Sequence, residues 1–451
     1  MPMPKTNSNT RLVDEQSSGL RSSLRRWLTT QPYALVMVMA SVAAFSAYFS
    51  MYAFRRPFTA ATFEGQVFAG GVIGLKTALI LSQILGYTIS KYIGVKICSE
   101  ANATRRGPLL LGLIAMAWGS LLLFALLPGS WKITAIFLNG LPLGMVWGLV
   151  VAYLEGRRCS DMLMAVLCGS FIIASAAVKD VGRWLMSGWG VSESWMPATT
   201  GALFLPVFGI AVLFLACLPP PNEADIASRK PRVPMDRAAR WGFLRRFAPG
   251  MILLILFYFF LTAFRDYRDN FGVEIFKNLG YGAEHSALFT RAEIPVAVVS
   301  LLVLALLNMV RDHRRALMLT YGSMMLGMLL LASSTMAIQQ QMISGLTWMI
   351  CTGLGAYLAY APINAVLFER LMAATGSAGT AVFGIQLADS AGYTGSALMQ
   401  VYKDLGGAAS SHLLYFSNFA LALGIGGFVL CALGAGYFGR VTKAGQNEGE
   451  K

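Results

Sequence analysis

Charge is scarce in these 451 residues. Only 13% are Asp, Glu, Lys or Arg, about half the share of a soluble globular chain, and 56% are apolar. The shortage of charge excludes a soluble enzyme of several domains, and the apolar content excludes disorder. A polytopic membrane protein is what fits. Histidine and cysteine are sparse as well. Three histidines, and six cysteines without metal-type spacing (Cys98, Cys159, Cys168, Cys217, Cys351, Cys431), exclude a zinc site or a disulfide framework, and no metal or cofactor is expected. There is no nucleotide-binding loop and no nucleophile–base arrangement, so ATP does not drive this protein and the chain reads as a non-enzyme. A net charge of +14 would suit nucleic acid. The basic residues, however, fall in short clusters between apolar runs, which excludes that partner. The stretch from Met1 to Gln31 is polar and basic, and the apolar run after it is too long for a signal sequence.

Apolar stretches near 20 residues recur twelve times, at about 33–54, 67–90, 108–127, 131–154, 162–184, 196–218, 249–271, 287–310, 317–337, 343–367, 378–400 and 413–438. Each can cross a hydrocarbon layer of about 30 Å as a helix, and a β-barrel would show short alternating segments instead. With the N-terminus in the cytoplasm, 25 of the 36 Lys and Arg fall in cytoplasmic segments. The positive-inside rule therefore places both termini there. The segment from Pro219 to Ala248 opens with three prolines, carries seven basic residues and has six spans on either side. The expected organisation is a basic tail (1–32), a six-helix bundle (33–218), a cytoplasmic linker (219–248), a second six-helix bundle (249–438) and a tail (439–451).

The halves repeat each other. Tyr48-Phe-Ser-Met-Tyr-Ala-Phe-Arg55 in the first span and Tyr258-Phe-Phe-Leu-Thr-Ala-Phe-Arg265 in the seventh agree at five of eight positions without a gap. In spans five and eleven, Gly169 and Gly384 each precede a Ser-Ala pair by six residues. Span four leads from Gly140-Leu141 to Glu155, and span ten from Gly353-Leu354 to Glu369.

Twelve spans in two parallel halves joined by a basic loop resemble the major facilitator superfamily, which implies an all-α membrane protein with two pseudo-symmetric six-helix bundles. Gly86-x3-Ser90-Lys91-x2-Gly94-x-Lys96 resembles that superfamily's loop between spans two and three, but Ser90 stands where Asp is usual and one extra residue precedes Gly94. Tyr48-x3-Tyr52-x2-Arg55-Arg56-x-Phe58 resembles the first-span signature of the organophosphate:phosphate antiporters, which implies that Arg55 and its mate Arg265 grip a substrate phosphate. The pore histidine of that family has no counterpart in Ala174–Lys179. The run Met51–Glu64, with Leu141–Gly144 and Tyr153–Arg158, is similar to a bacterial membrane family known only as a domain of unknown function, which brings no substrate with it.

An ionisable residue inside the bilayer costs at least about 2.5–3.5 kcal/mol and so needs a partner, a wet cavity or a task. Arg55 and Arg265, one from each half, would make a two-pronged anion clamp; the alternative is that both snorkel to the outer headgroups. Tyr48, Tyr52 and Lys76 are counted with them as substrate-binding. Arg265 and Asp269 lie i,i+4 on one helix face, so Asp269 could hold Arg265 until substrate replaces it. Asp180 or Arg183 could pair with Arg291 or Glu293 in an outer gate between spans five and eight, or form static pairs within one half. Asp389, in the middle of span eleven, could pair with Lys76 across the halves or carry a coupling proton. Gly140, Gly144 and Gly148 read as a packing stripe. Glu155, Arg157, Arg158, Glu369 and Arg370 read as inner-face ion pairs.

The reading is a secondary active transporter in a bacterial inner membrane, acting as a monomer on a small organic anion. Exchange for phosphate and proton symport are its two candidate couplings. The alternatives are a carrier of neutral or cationic solutes, or a ligand sensor of the same fold.

Overall fold

The computed structural model describes residues 19–68, 73–100, 102–154, 157, 159–223, 225, 237–282, 287–375, 381–406 and 411–449. Twelve long helices dominate it. The first six are α1 (Tyr33–Arg55), α2 (Leu75–Glu100), α3 (Ala103–Leu126), α4 (Trp131–Leu154), α5 (Ser160–Trp189) and α6 (Met196–Cys217). The second six are α7 (Ala248–Asn270), α8 (Leu288–Met309), α9 (His313–Gln339), α10 (Gly345–Thr375), α11 (Ala381–Gly406) and α12 (His412–Gly449). Ten of them are long and apolar enough to cross a bilayer. The other two, α2 and α11, are as long but bring Lys91 and Asp389 into the interior.

The helix ends follow local chemistry. Asp312 and Ser344 cap α9 and α10 by accepting from the backbone N–H groups of Arg315 and Thr347. Gly190, at φ +65°, closes α5 in the left-handed conformation that glycine adopts without penalty. Two boundaries differ from the hydropathy reading. Val67–Phe68 pairs antiparallel with Ile73–Gly74, so α2 starts later and takes in the whole segment Gly86–Lys96. That segment is helix, not a loop between spans. At the other end α12 continues to Gly449, well past the apolar run.

Packing repeats with the sequence. Within the first six helices α1 packs on α5 and α6, and α4 on α2 and α3. Within the second six α7 packs on α11 and α12, and α10 on α8 and α9. The two bundles meet through α5 against α8 and α2 against α11, pairs that the same two-fold relation exchanges. The glycine stripe of α4 does what small residues do in membranes: a Cβ on Gly140 would lie 2.6 Å from the carbonyl oxygen of Gln83, and one on Gly144 2.7 Å from Ser90. In α10 a π-helical turn, Ile363–Leu367, follows Pro362 and aims Asn364 inward. Such turns recur at functional sites.

The chain after α6 docks on the first bundle: Tyr33 donates to Asp225 at 2.7 Å and Arg157 to the carbonyl of Pro219 at 2.8 Å. Arg370 contacts His313 and the carbonyl of Asn308. The inner-face ion pairs expected of Arg157 and Arg370 are therefore contacts of another kind, and Glu155 and Arg158 lie outside the described residues.

Candidate functional site

Between the bundles lies a cavity of about 800 Å³. Its lining includes Arg55 and Arg265, and it extends to Cys98, Asn308 and Glu369, near the ends of α2, α8 and α10 on the side where the chain termini lie. We call this side the terminal end and the opposite side the far end.

Arg55 is the last residue of α1, where backbone carbonyls lack helical partners. Two buried amides supply them. Gln83 donates to the carbonyl of Arg55 at 2.9 Å, and Asn139 to that of Phe54 at 3.0 Å, while Gln83 also donates to the side chain of Asn139. The end of α1 is thus held by α2 and α4. The Arg55 guanidinium, on a residue only 6% exposed, lies 4.0 Å from the centre of the Tyr87 ring and has no ion pair and no side-chain hydrogen bond among the described residues. Arg265 sits 3.9 Å over Tyr360 and pairs with Asp266 at 2.8 Å. The two arginines therefore line one chamber but differ in pairing: Arg55 has no counter-ion among the described residues and Arg265 has Asp266.

An arc of side chains joins them along the wall. Lys91 lies between the rings of Tyr87 and Tyr393, at 5.4 and 4.8 Å, and pairs with Asp389 at 3.3 Å. Asp389 accepts from Tyr258 at 2.8 Å, Asn364 donates to Tyr258 at 3.0 Å, and Tyr258 stacks on Tyr360. Tyr48 and Tyr52 also line the chamber, with Trp147 packed edge-on against Tyr48.

The far end is closed by contacts between the bundles. Asp269 takes Arg56 at 3.2 Å, Lys179 at 2.5 Å and the Ser175 hydroxyl at 2.6 Å. Arg56 also donates to Asn270, and Lys76 pairs with Glu274 at 2.6 Å. Asp180 accepts from the backbone N–H groups of Phe289 and Thr290 at the start of α8, and Arg183 donates to the carbonyl of Gly282.

These contacts correct several expected pairings. Lys76 neither meets Asp389 nor lines the chamber. It is the second residue of α2, and 15 residues of helix, about 22 Å, separate it from Lys91, which does reach Asp389. Asp269 does not hold Arg265; Asp266 does, because Asp269 faces the two cations of the other bundle. Glu293 pairs with Arg268 inside the second bundle, and Arg291 is exposed, so neither joins Asp180 or Arg183 in an ion-pair gate. The α5–α8 seam is crossed instead by carboxylate-to-backbone bonds. Sequence reasoning missed the sealing role of Arg56 and Lys179, the ring partners Tyr87 and Tyr360, and the amide brace of Gln83 and Asn139. One signal was available: directly after the repeated arginine the first half has Arg56 and the second has Asp266, a local charge reversal.

Residues 57–441 match the model of a family described as "Family of unknown function (DUF5690)". No curated protein sequence matches the chain. Among solved structures, a mutant of the nucleoside transporter NupG is similar with a TM-score of 0.59 and 12% identity, over 89% of this chain and 100% of that one. A bacterial homologue of the human lysosomal transporter Spinster, in an inward-facing and unoccupied conformation, is similar with a TM-score of 0.56 and 13% identity, over 93% and 98%. A D-xylose–proton symporter is similar with a TM-score of 0.56 and 14% identity, over 87% and 97%. At these identities the likeness establishes the fold, which is that of the major facilitators: an all-α, multi-pass membrane architecture.

Proposed function

Because the chain belongs to the family of unknown function DUF5690, a membership that names no activity, we propose a function from its chamber: secondary active transport of a small organic anion by alternating access. The observation that carries this is Arg55. Every other cation singled out at the seal and in the arc has a partner: Arg56 and Lys179 share Asp269, Lys76 has Glu274, Lys91 has Asp389, Arg265 has Asp266 and Arg268 has Glu293. Arg55 lines the chamber without a counter-ion among the described residues, so its guanidinium fork is left to meet a carboxylate or phosphate bidentately. The named cargoes of two structural neighbours, nucleosides and xylose, are neutral; Arg55 is what points to an anion here.

With both termini in the cytoplasm, as the Lys and Arg distribution indicates, the far end is periplasmic and the structure is an inward-facing state of a bacterial inner-membrane protein acting as a monomer. Asp269 is then the lock of the closed gate. Arg55 and Arg56 are chain neighbours with separate tasks, the first for cargo and the second for the lock. Cargo charge at Arg55 is felt one residue from the lock, and a cargo bridging Arg55 and Arg265 ties the bundles together, which biases closure. Asp389 is the coupling carboxylate of this reading: its side chain is 24% exposed and that of Lys91 35%, so water from the terminal end reaches the pair.

Counterflow in liposomes tests the reading. Arg55→Ala should abolish uptake of a bound anion while the protein still reaches the membrane. Uptake at the wild-type rate would remove Arg55 from the site and the anion from the proposal.

A further inference from the structure

We infer that the cargo is an aryl acid, an anion whose charge is carried on an aromatic or heteroaromatic ring; this rests on the proposed anion transport and narrows it. Two sets of observations lead there. First, the wall beside Arg55 is made of rings. Tyr48, Tyr52, Tyr87, Trp147, Tyr360 and Tyr393 all line the chamber. Rings stack on flat π systems and pack edge-on, with a gain beyond simple burial. Trp147 adds a donor: it is half-buried, and its indole N–H makes no hydrogen bond among the described residues, whereas the indoles of Trp118 and Trp348 both do. An indole N–H on the chamber wall can donate to a polar atom on the ring of the cargo.

Second, the neutral hydrogen-bonding groups of the wall are carried largely by the rings themselves, as tyrosine hydroxyls and the Trp147 indole. Asn364 is committed to Tyr258 and to the carbonyl of Tyr360, and Ser175 is committed to Asp269. Asn308 is exposed at the rim. A flat cargo uses the ring faces as well as these groups, whereas a sugar phosphate or a polyhydroxy acid of the same charge leaves the faces unused.

The test uses the purified full-length protein in detergent, with thermal stabilisation and equilibrium binding as readouts. The probes are 4-hydroxybenzoate and indole-3-acetate as aryl acids, cyclohexanecarboxylate as an acid of similar bulk without a π face, glucose 6-phosphate as a hydroxylated anion, and benzyl alcohol as a neutral ring. The aryl acids should bind about tenfold tighter than each of the other three. Trp147→Leu should shrink the advantage over cyclohexanecarboxylate, and its unfolding temperature without probe reports whether it has folded. The ranking on wild-type protein stands without that variant. Cyclohexanecarboxylate or glucose 6-phosphate binding as tightly as the aryl acids would overturn the ring requirement and leave anion transport standing. Benzyl alcohol binding as tightly as 4-hydroxybenzoate would overturn both, as would the absence of binding by every acid at millimolar concentration.

Discussion

The guanidinium of Arg56 lies 3.2 Å from the carboxylate of Asp269, and with Lys179 at 2.5 Å from the same carboxylate it pins the two bundles together at the far end of the chamber. All three side chains are largely withdrawn from water, so this lock is not a surface ion pair. Deleting one partner of a buried pair costs about 3–5 kcal/mol because the other charge is left uncompensated.

Asp269→Asn should therefore loosen the far end. A cysteine placed at Ser175 should label from outside much faster in that variant, and counterflow should fall about tenfold or more. Lys277→Ala is the control. Its pair with Glu64 is exposed on both sides, and its loss should change stability by less than about 1 kcal/mol. An unchanged labelling rate in Asp269→Asn would show that the lock does not hold the gate.

Asp266→Asn should act in the opposite sense on cargo. Arg265 would lose its counter-charge and stand unpaired like Arg55. The empty protein should lose stability by about 3–5 kcal/mol, and saturating anion should restore more of it than in the wild type. Equal thermal shifts with anion in the two proteins would mean that Arg265 does not reach the cargo.

Asp389→Asn leaves Lys91 without its carboxylate and removes a proton acceptor from the chamber. Uptake driven by a pH gradient should disappear, while exchange of labelled for unlabelled cargo persists. If the variant keeps the pH dependence of the wild type, Asp389 is not the coupling group.

Gly140→Ala should destabilise the first bundle. The new methyl group would lie 2.6 Å from the backbone oxygen of Gln83 and 2.8 Å from the backbone nitrogen of Tyr87, and overpacking of this kind costs about 1–3 kcal/mol. The clash also falls on the helix that braces Arg55, so binding should weaken with it. Gly119→Ala, on α3 with open space around the added carbon, should instead stabilise by up to about 1 kcal/mol through helix propensity. Thermal unfolding in detergent separates the two.

Much of the architecture is written in the hydropathy pattern, because a helix that must hide its backbone from lipid needs a long apolar run whatever its neighbours. The repeated Tyr-Phe-x-x-x-Ala-Phe-Arg motif marks the chamber for a similar reason: arginine is too costly in a span to occur twice at matching positions by accident. Pairing between charges is a different kind of information. Lys76 and Lys91 share one helix, and only the tilt and depth of α2 against α11 decide which of them reaches Asp389. Asp266 and Asp269 likewise differ by less than one turn yet face different partners. The brace of Gln83 and Asn139 leaves no local signature, since amides in apolar runs serve many purposes.

The π turn of α10 has a mechanical consequence. It holds one residue more than an α-helical path would, and rewinding it to α geometry would rotate the segment beyond it by about 100°. Phe368 opens that segment and lies so close to Gly384 of α11 that a methyl group there would be 2.2 Å from its ring. A swivel of Phe368–Thr375 would lift that plug from its socket and redraw the mouth of the chamber while Gly345–Pro362, bearing Tyr360, kept its place, which would make the π turn a joint between the cargo-facing and mouth-facing parts of α10.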